Sequence, residues 1–392
     1  MDQSRLYLDH NATTPVDPEV IHVLPEWVAA WGNPSSIHQE GRGPKFLLRE
    51  SRRQISSAIG ANNLEIIFNS GASEGNNTVI KSFWPPTNPN RSEFICSAAE
   101  HPSVTKTMQW LETQGATVHY VPVNLEGELD IEFYLSKLSE RTALVSIMYA
   151  NNETGMIFPV AGLSQAAHKV GAYFHSDCVQ ALGKIPVNVT ELGVDYATFS
   201  GHKIYALKGT GFIYVKKGSP FQNLIHGGGQ ERARRGGTEN VPGIASAGFM
   251  AQKITSTVAL QYDHLQTLRD HFEDRVLKEI PNVRINCAKV SRLPNTSSLI
   301  IDGIDGETLL MSLDLKGFAV STGAACSSGN PEPSPVLIAM GLTRSQAQSS
   351  LRVSFGRFQN LQNADRFVDV LKEVVQRLRT ISSIEESRHH GI

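Results

Sequence analysis

The sequence has no long apolar segment and little cysteine. No apolar run reaches the roughly 18 to 20 residues that a membrane-spanning helix needs. The opening MDQSRLYLDHN does not resemble a secretion signal, which has a basic segment followed by an apolar one. Cys96, Cys178, Cys287 and Cys326 form no CxxC pair and have no metal-ligand spacing. We therefore expect a cytoplasmic chain with free thiols, without a membrane partner and without a metal site.

The charge is nearly balanced, and there is no internal repeat or low-complexity tract. A net charge of −2 produces no long-range field for nucleic acid or an anionic membrane, so we expect no direct nucleic-acid binding. The hydrophobic share of 40% and the charged share of 19% are typical of globular proteins. A chain of 392 residues is too long for one typical domain core and favours two.

One polar cluster stands between two apolar runs in DYATFSGHKIYALKGTGFIYV, residues 195–215. Lys203 follows Ser200, Gly201 and His202, so its amine lies at the end of a predicted buried strand. A lysine with a hydroxyl and an imidazole beside it is a candidate Schiff-base nucleophile. The alternative is an ordinary lysine that ends a strand with a solvated amine.

A second predicted strand, in GAYFHSDCVQALGK, is interrupted by Asp177 and Gln180. A carboxylate in such a strand needs a cationic partner. The protonated ring nitrogen of pyridoxal phosphate would supply one, while Lys203 held the aldehyde carbon. Taken together, the two segments resemble the cysteine desulfurase family, NifS and IscS type, of the class V aminotransferase group.

A serine hydrolase is the competing interpretation. GASEG, residues 71–75, matches the G-x-S-x-G nucleophile motif around Ser73, and HGGG, residues 226–229, matches a lipase-type oxyanion motif. The order is wrong, because in that fold the HGGG segment precedes the nucleophile. The same turn, followed by a helix that we expect to begin near Asn76, is equally a phosphate site at Ala72 and Ser73. We favour the phosphate site because the lysine and the aspartate are both present.

Two further predicted strands also end in polar residues. SEFICSAAEHPSV ends at His101, and RTALVSIMYANNETG ends at Asn152. In a chain that alternates strands and helices, such residues lie at the carboxyl edge of a mostly parallel sheet, where ligands bind. His101 could also be a capping or surface histidine. The resemblance implies that His101 stacks on the cofactor ring and takes part in catalysis, and that Asn152 contacts the oxygen side of the ring and the substrate.

Two loops contain candidate site residues whose roles cannot be determined from composition alone. The segment WGNPSSIHQEGRGP is a plain connector by composition, and LIHGGGQERARRGGTENVPG is a mobile or generally anion-binding loop. The resemblance implies that Asn33 in the first helps to hold the substrate carboxylate. It implies that Thr238 in the second is a phosphate ligand donated across the interface of a homodimer.

The last candidates lie near the C-terminal end. Cys326 stands in STGAACSSGNPEPSPVL, whose composition favours exposure, as a reactive thiolate requires. Arg352 in SLRVSFGRF has a planar guanidinium that suits a carboxylate, and Arg357 competes for that role. An incidental loop cysteine is the alternative for Cys326. The resemblance implies that Cys326 is the catalytic nucleophile that becomes a persulfide, and it favours Arg352 for the substrate.

The alternation of strands and helices predicts an α/β protein, and the resemblance implies the fold-type-I class of pyridoxal phosphate enzymes. We expect a large domain over residues 12–257, with a mostly parallel seven-stranded sheet, and a small α+β domain from residues 1–11 and 258–392. The predicted cofactor residues are Ala72, Ser73, His101, Asn152, Asp177, Gln180, Ser200, His202, Lys203 and Thr238.

The resemblance implies a desulfurase that converts L-cysteine to L-alanine. The sulfur would pass to an acceptor protein, such as an iron–sulfur scaffold or a tRNA thiolation enzyme. The tail ESRHHGI lacks the apolar ending with which some members dock a scaffold, so the acceptor stays open. Selenocysteine lyase, an aminotransferase and a binding protein without catalysis are the other possibilities; the loop cysteine argues against the aminotransferase.

Overall fold

The computed structural model of the chain describes residues 5–323 and 332–389, with side chains described as far as Ile381. The strands are β1 (Leu6–Tyr7), β2 (Ile66–Asn69), β3 (Glu93–Ser97), β4 (Thr117–Val121), β5 (Thr142–Ser146), β6 (Tyr173–Asp177), β7 (Tyr196–Ser200), β8 (Gly211–Val215), β9 (Val283–Ile285), β10 (Thr296–Ile301), β11 (Phe318–Ala319) and β12 (Ser350–Ser354).

The helices alternate with these strands through the first half of the chain. They are α1 (Pro18–Ala29), α2 (Arg42–Ala58), α3 (Ala72–Lys81), α4 (Pro102–Thr113), α5 (Ile131–Lys137), α6 (Val160–Lys169), α7 (Val189–Leu192), α8 (Gln230–Ala233), α9 (Val241–Thr255), α10 (Val258–Glu279), α11 (Gly306–Leu315), α12 (Pro335–Ala339), α13 (Arg344–Gln348) and α14 (Leu361–His389).

A seven-stranded sheet organises the first part of the chain. Its strand order is β2-β8-β7-β6-β5-β3-β4, and every pairing is parallel except the two that β8 makes. All residues of β5 and β7 are buried, as expected for strands covered by helices on both faces. The prediction of an α/β fold with a mostly parallel seven-stranded sheet is confirmed.

The start of α3 differs from the prediction near Asn76. The helix begins four residues earlier, at Ala72, because Gly71 turns the chain with φ 151° and the first helical hydrogen bond runs from the N–H of Gly75 to the carbonyl of Gly71. A φ in this region is open to glycine and strained for other residues. Ala72 and Ser73 therefore lie in the first turn of the helix, where N–H groups lack partners within the helix.

A second hydrophobic core lies in the C-terminal part. It is built around Phe272 of α10, whose ring contacts those of Phe355, just after β12, and Phe367 of α14. Two small sheets belong here: β12-β10-β9, which is antiparallel, and β1-β11, through which the N-terminal strand pairs with this part of the chain. We propose that the boundary between two domains lies where α10 begins, at Val258.

Three cysteines are buried small residues of these cores. Cys96, Cys178 and Cys287 are free thiols with no more than 1% of their surface exposed, as the sequence predicts. Burial raises the pKa of Cys287 to about 11 and that of Cys96 well above its ordinary value, so neither thiol is a nucleophile near neutral pH. Within the described residues, no helix is long and apolar enough to cross a membrane.

Candidate active site

A cavity of about 670 Å³ lies at the carboxyl ends of the parallel strands of the large sheet. The segments that follow β2, β3, β5, β6 and β7 all contribute to its wall, as do residues 11–13 and one residue of β12. This edge is where open α/β sheets bind ligands. The predicted site residues that line the cavity are Ala72, Ser73, His101, Asn152, Asp177, Gln180, Ser200, His202, Lys203 and Arg352.

Lys203 ends the short turn Gly201–Lys203 that directly follows β7. Its Nζ donates hydrogen bonds to the backbone carbonyls of Asn11 and Ala12, the latter at 2.5 Å. Burial and the positive charge of Arg352 lower the pKa of Lys203 to about 8. A lysine amine that loses its proton this close to neutral pH can act as a nucleophile.

Asp177 is the last residue of β6 and is 6% exposed. Its Oδ2 accepts from Nδ2 of Asn76 at 2.8 Å, and its Oδ1 accepts from the N–H of Val179 at 3.0 Å. Both donors are neutral, and none of the ion pairs within the described part of the chain includes Asp177. A buried carboxylate of this kind has room for a cationic partner in the cavity.

The two predicted histidines follow different strands of the large sheet, His101 after β3 and His202 after β7. His101 is the N-cap of α4, and its Nδ1 accepts the N–H of Ser103 at 3.1 Å, which fixes the orientation of the ring. His202 has its Nδ1 3.1 Å from the hydroxyl of Thr13. Burial lowers the pKa of His202 to about 4, with the charge of Lys203 acting in the same direction. His202 is therefore a neutral hydrogen-bonding group at physiological pH.

Arg352 of β12 reaches the cavity from the second core and is 7% exposed. One guanidinium nitrogen donates to Oδ1 of Asp9 at 2.7 Å and another to the carbonyl of Asn152 at 3.2 Å. Its Nε is buried without a partner in the described structure. The competing Arg357 forms an ion pair with Asp17 and lies over the ring of Tyr205, outside the cavity wall.

The chain is similar to proteins of one known family over most of its length. The model of the aminotransferase class-V family matches residues 6–367. The chain belongs to the class-V aminotransferase family. It is 44% identical to a cysteine desulfurase of Cereibacter sphaeroides over 96% of this chain and 97% of that protein. A NifS-like protein of known structure has a TM-score of 0.90 and 35% identity, covering 95% of this chain and all of that one (100%).

A further solved structure, described as SspA in complex with cysteine, has a TM-score of 0.79 and 28% identity, over 90% of this chain and 99% of that one. The resemblance to the cysteine desulfurases of the class-V group is thereby confirmed. The hydrolase interpretation is wrong for this class-V chain. Ser73 lies within the first turn of α3, and HGGG, residues 226–229, contributes nothing to the cavity wall.

Two predicted residues of this family member do not line the cavity, and a third is not among the described residues. Asn33 is exposed in its loop, where its Oδ1 accepts the N–H of Ser35 at 2.9 Å. Thr238 is also exposed and borders a separate cavity of about 200 Å³, which shares Ser70 with the main one. Cys326 lies outside the described residues. The roles of all three stay predictions.

Sequence reasoning missed several residues that the fold brings to the site. Asn11 donates from Nδ2 to the carbonyl of Asn152 at 3.0 Å and to the hydroxyl of Thr296 at 2.8 Å, so it connects the two cores beside the cavity. Asn76 is fully buried and holds Asp177 in place. The polar turn after the first strand, in LDHNATTP, is the one sequence feature that could have predicted Asn11 as a site residue. Asn76 lies inside a helix, and no comparable feature of the sequence indicates its role.

Proposed function

We propose that the protein is a pyridoxal phosphate-dependent cysteine desulfurase. The observation that supports this best is the pairing, in one cavity, of a lysine amine whose pKa is lowered to about 8 with a buried carboxylate that has no ion-pair partner in the described structure. Lys203 and Asp177 have the chemistry to hold the aldehyde carbon and the ring nitrogen, respectively, of this cofactor. The residues present therefore fit the group.

Further residues would complete the cofactor site. The N-terminal turn of α3, with Ala72 and Ser73, offers unpaired N–H groups for the phosphate. Ser200, His202, Gln180 and Asn152 supply hydrogen-bonding groups around the same cavity. We propose that Thr238 serves the phosphate site of a second copy in a homodimer, since it is exposed and stands apart from the cavity of its own chain.

The substrate that suits this site is L-cysteine. Arg352 and Asn152 would hold its carboxylate, with Asn33 as a further ligand, and the buried Nε of Arg352 is a donor free to take part. When bound, pyridoxal phosphate supplies an electron-withdrawing ring that stabilises charge at the α-carbon of an amino acid. The Nζ of Lys203 accepts and returns protons there, because its pKa lies close to neutral pH.

Cys326 would complete the sulfur transfer as its thiolate. Its Sγ attacks the sulfur of the substrate and forms the S–S bond of a persulfide, while the bond between Cβ and sulfur breaks. The electron pair of that bond goes to Cβ, which takes a proton, so that L-alanine remains. The persulfide sulfur would then go to an acceptor such as an iron–sulfur scaffold or a tRNA thiolation enzyme. Free thiols in the core suit a cytoplasmic location.

The decisive experiment combines purified protein, pyridoxal phosphate and L-cysteine, with alanine and persulfide measured together. Wild-type protein should form both, and Cys326→Ala should form neither at more than a small fraction of the wild-type rate. Because Cys326 is not among the predicted cofactor residues, the variant should still bind the cofactor. Sustained alanine production by Cys326→Ala would refute the mechanism, and L-selenocysteine in a parallel assay distinguishes a selenocysteine lyase.

The homodimer has its own test. Sedimentation of the cofactor-bound protein should give about twice the chain mass of 42.9 kDa. Thr238→Ala should weaken cofactor binding, and mixing it with an inactive Lys203→Ala partner should restore some activity in mixed dimers only if Thr238 acts across the interface. A fully active monomer would contradict the proposal.

A further inference from the structure

Lys184 is a second lysine amine held inside the protein close to the active site. It is 6% exposed, and it borders a small cavity of about 10 Å³ that Lys203 also borders, not the main cavity. Its Nζ donates to Oε1 of Gln180 at 2.5 Å and to Oδ1 of Asn11 at 3.2 Å. Both acceptors are neutral amides, and no ion pair within the described ranges includes Lys184.

Burying a lysine amine without an ionic partner costs free energy of folding. Burial lowers the pKa of Lys184 well below its ordinary value, and the positive charges of Lys203 and Arg352 act in the same direction. An apolar side chain would fill the same space without that cost. The two hydrogen bonds that Lys184 makes are therefore the features to examine.

The hydrogen bond from Lys184 helps to determine the orientation of the side-chain amide of Gln180. A lysine amine carries N–H donors whether it is charged or neutral, and both hydrogen bonds of Lys184 are made to amide oxygens, so the carbonyl oxygen of the Gln180 amide faces Lys184. The NH₂ group then lies on the other side, where Nε2 donates to the carbonyl of Asn11 at 3.1 Å. Gln180 also lines the main cavity, and within the described residues the second N–H of its amide has no other bond.

The orientation of Asn11 depends on the same amine. Its Oδ1 accepts from Lys184 and from Nδ2 of Asn295, the latter at 3.1 Å, so its own Nδ2 is directed to the carbonyl of Asn152 and to Thr296. Amide oxygens and nitrogens differ little in shape, and only their partners select one orientation over the other. The amine of Lys184 thus helps to orient two amides beside the site.

We propose that Lys184 is a positioning residue that turns the N–H side of the Gln180 amide toward the cavity, where it meets an anionic oxygen of the cofactor ring. This rests on the proposed function. Without Lys184 only the carbonyl of Asn11 selects this orientation of the amide, and a rotated amide would present its carbonyl oxygen, which would repel an anionic oxygen. Lys184 itself touches neither the cofactor nor the substrate, so its effect must pass through Gln180.

The test is a double-mutant cycle on cofactor affinity. Apo protein is titrated with pyridoxal phosphate, and the Kd is measured for wild type, Lys184→Met, Gln180→Met and the double variant. Loss of a hydrogen bond to a charged oxygen should raise the Kd about tenfold in each single variant. Because both changes remove the same bond, the double variant should also be about tenfold weaker, and not about a hundredfold.

Three comparisons separate an effect on positioning from an effect on stability. Lys216→Met makes the same chemical change at a side chain that is 50% exposed and should bind the cofactor as wild type does. The thermal midpoint of apo Lys184→Met should equal or exceed that of wild type, since a buried amine is replaced by an apolar group. Lys184→Gln restores an N–H donor and should recover part of the lost affinity.

The outcomes are distinct. A wild-type Kd for Lys184→Met, multiplicative losses in the double variant, or affinity lost only together with apo stability would each overturn the role of Lys184 and leave the proposed function standing. Failure of the wild-type protein to bind pyridoxal phosphate would overturn the proposed function and this role with it.

Discussion

Replacing Lys203 by methionine should change the pH dependence of stability in the apo protein. The ordinary pKa of 10.5 applies to the unfolded chain, and the folded value is about 8. The folded state therefore binds fewer protons than the unfolded state between these two pH values, so wild-type stability should rise with pH across that window. Below pH 8 the full cost of the buried charge is present, and above 10.5 it is absent.

The size of the expected stability difference follows from the pKa shift of Lys203 and from its two hydrogen bonds. At about 1.4 kcal/mol for each pKa unit, the buried charge costs up to about 3 kcal/mol below pH 8. Methionine removes this cost but also removes the bonds to the carbonyls of Asn11 and Ala12, together about 2 kcal/mol. The variant should be about 1 kcal/mol more stable near pH 7 and about 2 kcal/mol less stable above pH 10.5, with the curves crossing near pH 9.

The assay is denaturant unfolding of the apo proteins between pH 6 and 11. Lys208→Met, at an exposed lysine of the same cavity, is the matched control and should follow the wild-type curve. Borohydride reduction of wild-type protein with pyridoxal phosphate should label the peptide that contains Lys203, which checks the same amine directly. A difference between wild type and Lys203→Met that does not vary with pH would refute the reasoning.

Two further predictions concern buried charges. Asp177→Asn should weaken pyridoxal phosphate binding at least a hundredfold, because removing one partner of a buried charge pair costs about 3 kcal/mol or more. Titration of the apo protein with pyridoxal phosphate measures the Kd. An unchanged Kd would show that Asp177 does not face the ring nitrogen. Glu231→Gln should lower stability by about 3 kcal/mol, since Glu231 pairs with Arg52 through two hydrogen bonds of 2.9 and 2.6 Å and accepts the N–H of Phe68 at 2.9 Å. Denaturant unfolding measures it, and a loss below about 1 kcal/mol would contradict it.

The strand-end pattern of the sequence was enough to predict an α/β fold with a mostly parallel sheet and several residues at its ligand-binding edge. Apolar runs precede Lys203, His101 and Asn152, Asp177 interrupts such a run, and the carboxyl ends of parallel strands meet at one edge of a sheet. Such residues are predictable because a local pattern determines their place. The choice of Arg352 over Arg357 depended on the resemblance to the desulfurases, and the structure places only Arg352 in the cavity wall.

The tertiary structure alone decided how these residues are held. Asn11 and Lys184 are 173 positions apart, and Asn76 lies 101 positions from Asp177, so no local pattern connects them. The lowered pKa of Lys203 likewise depends on burial and on Arg352, which only the packed chain brings near it. The sequence determined which chemical groups this protein carries to one sheet edge, and long-range packing determined their charge, orientation and partners, because desolvation and hydrogen bonding act through space and not along the chain.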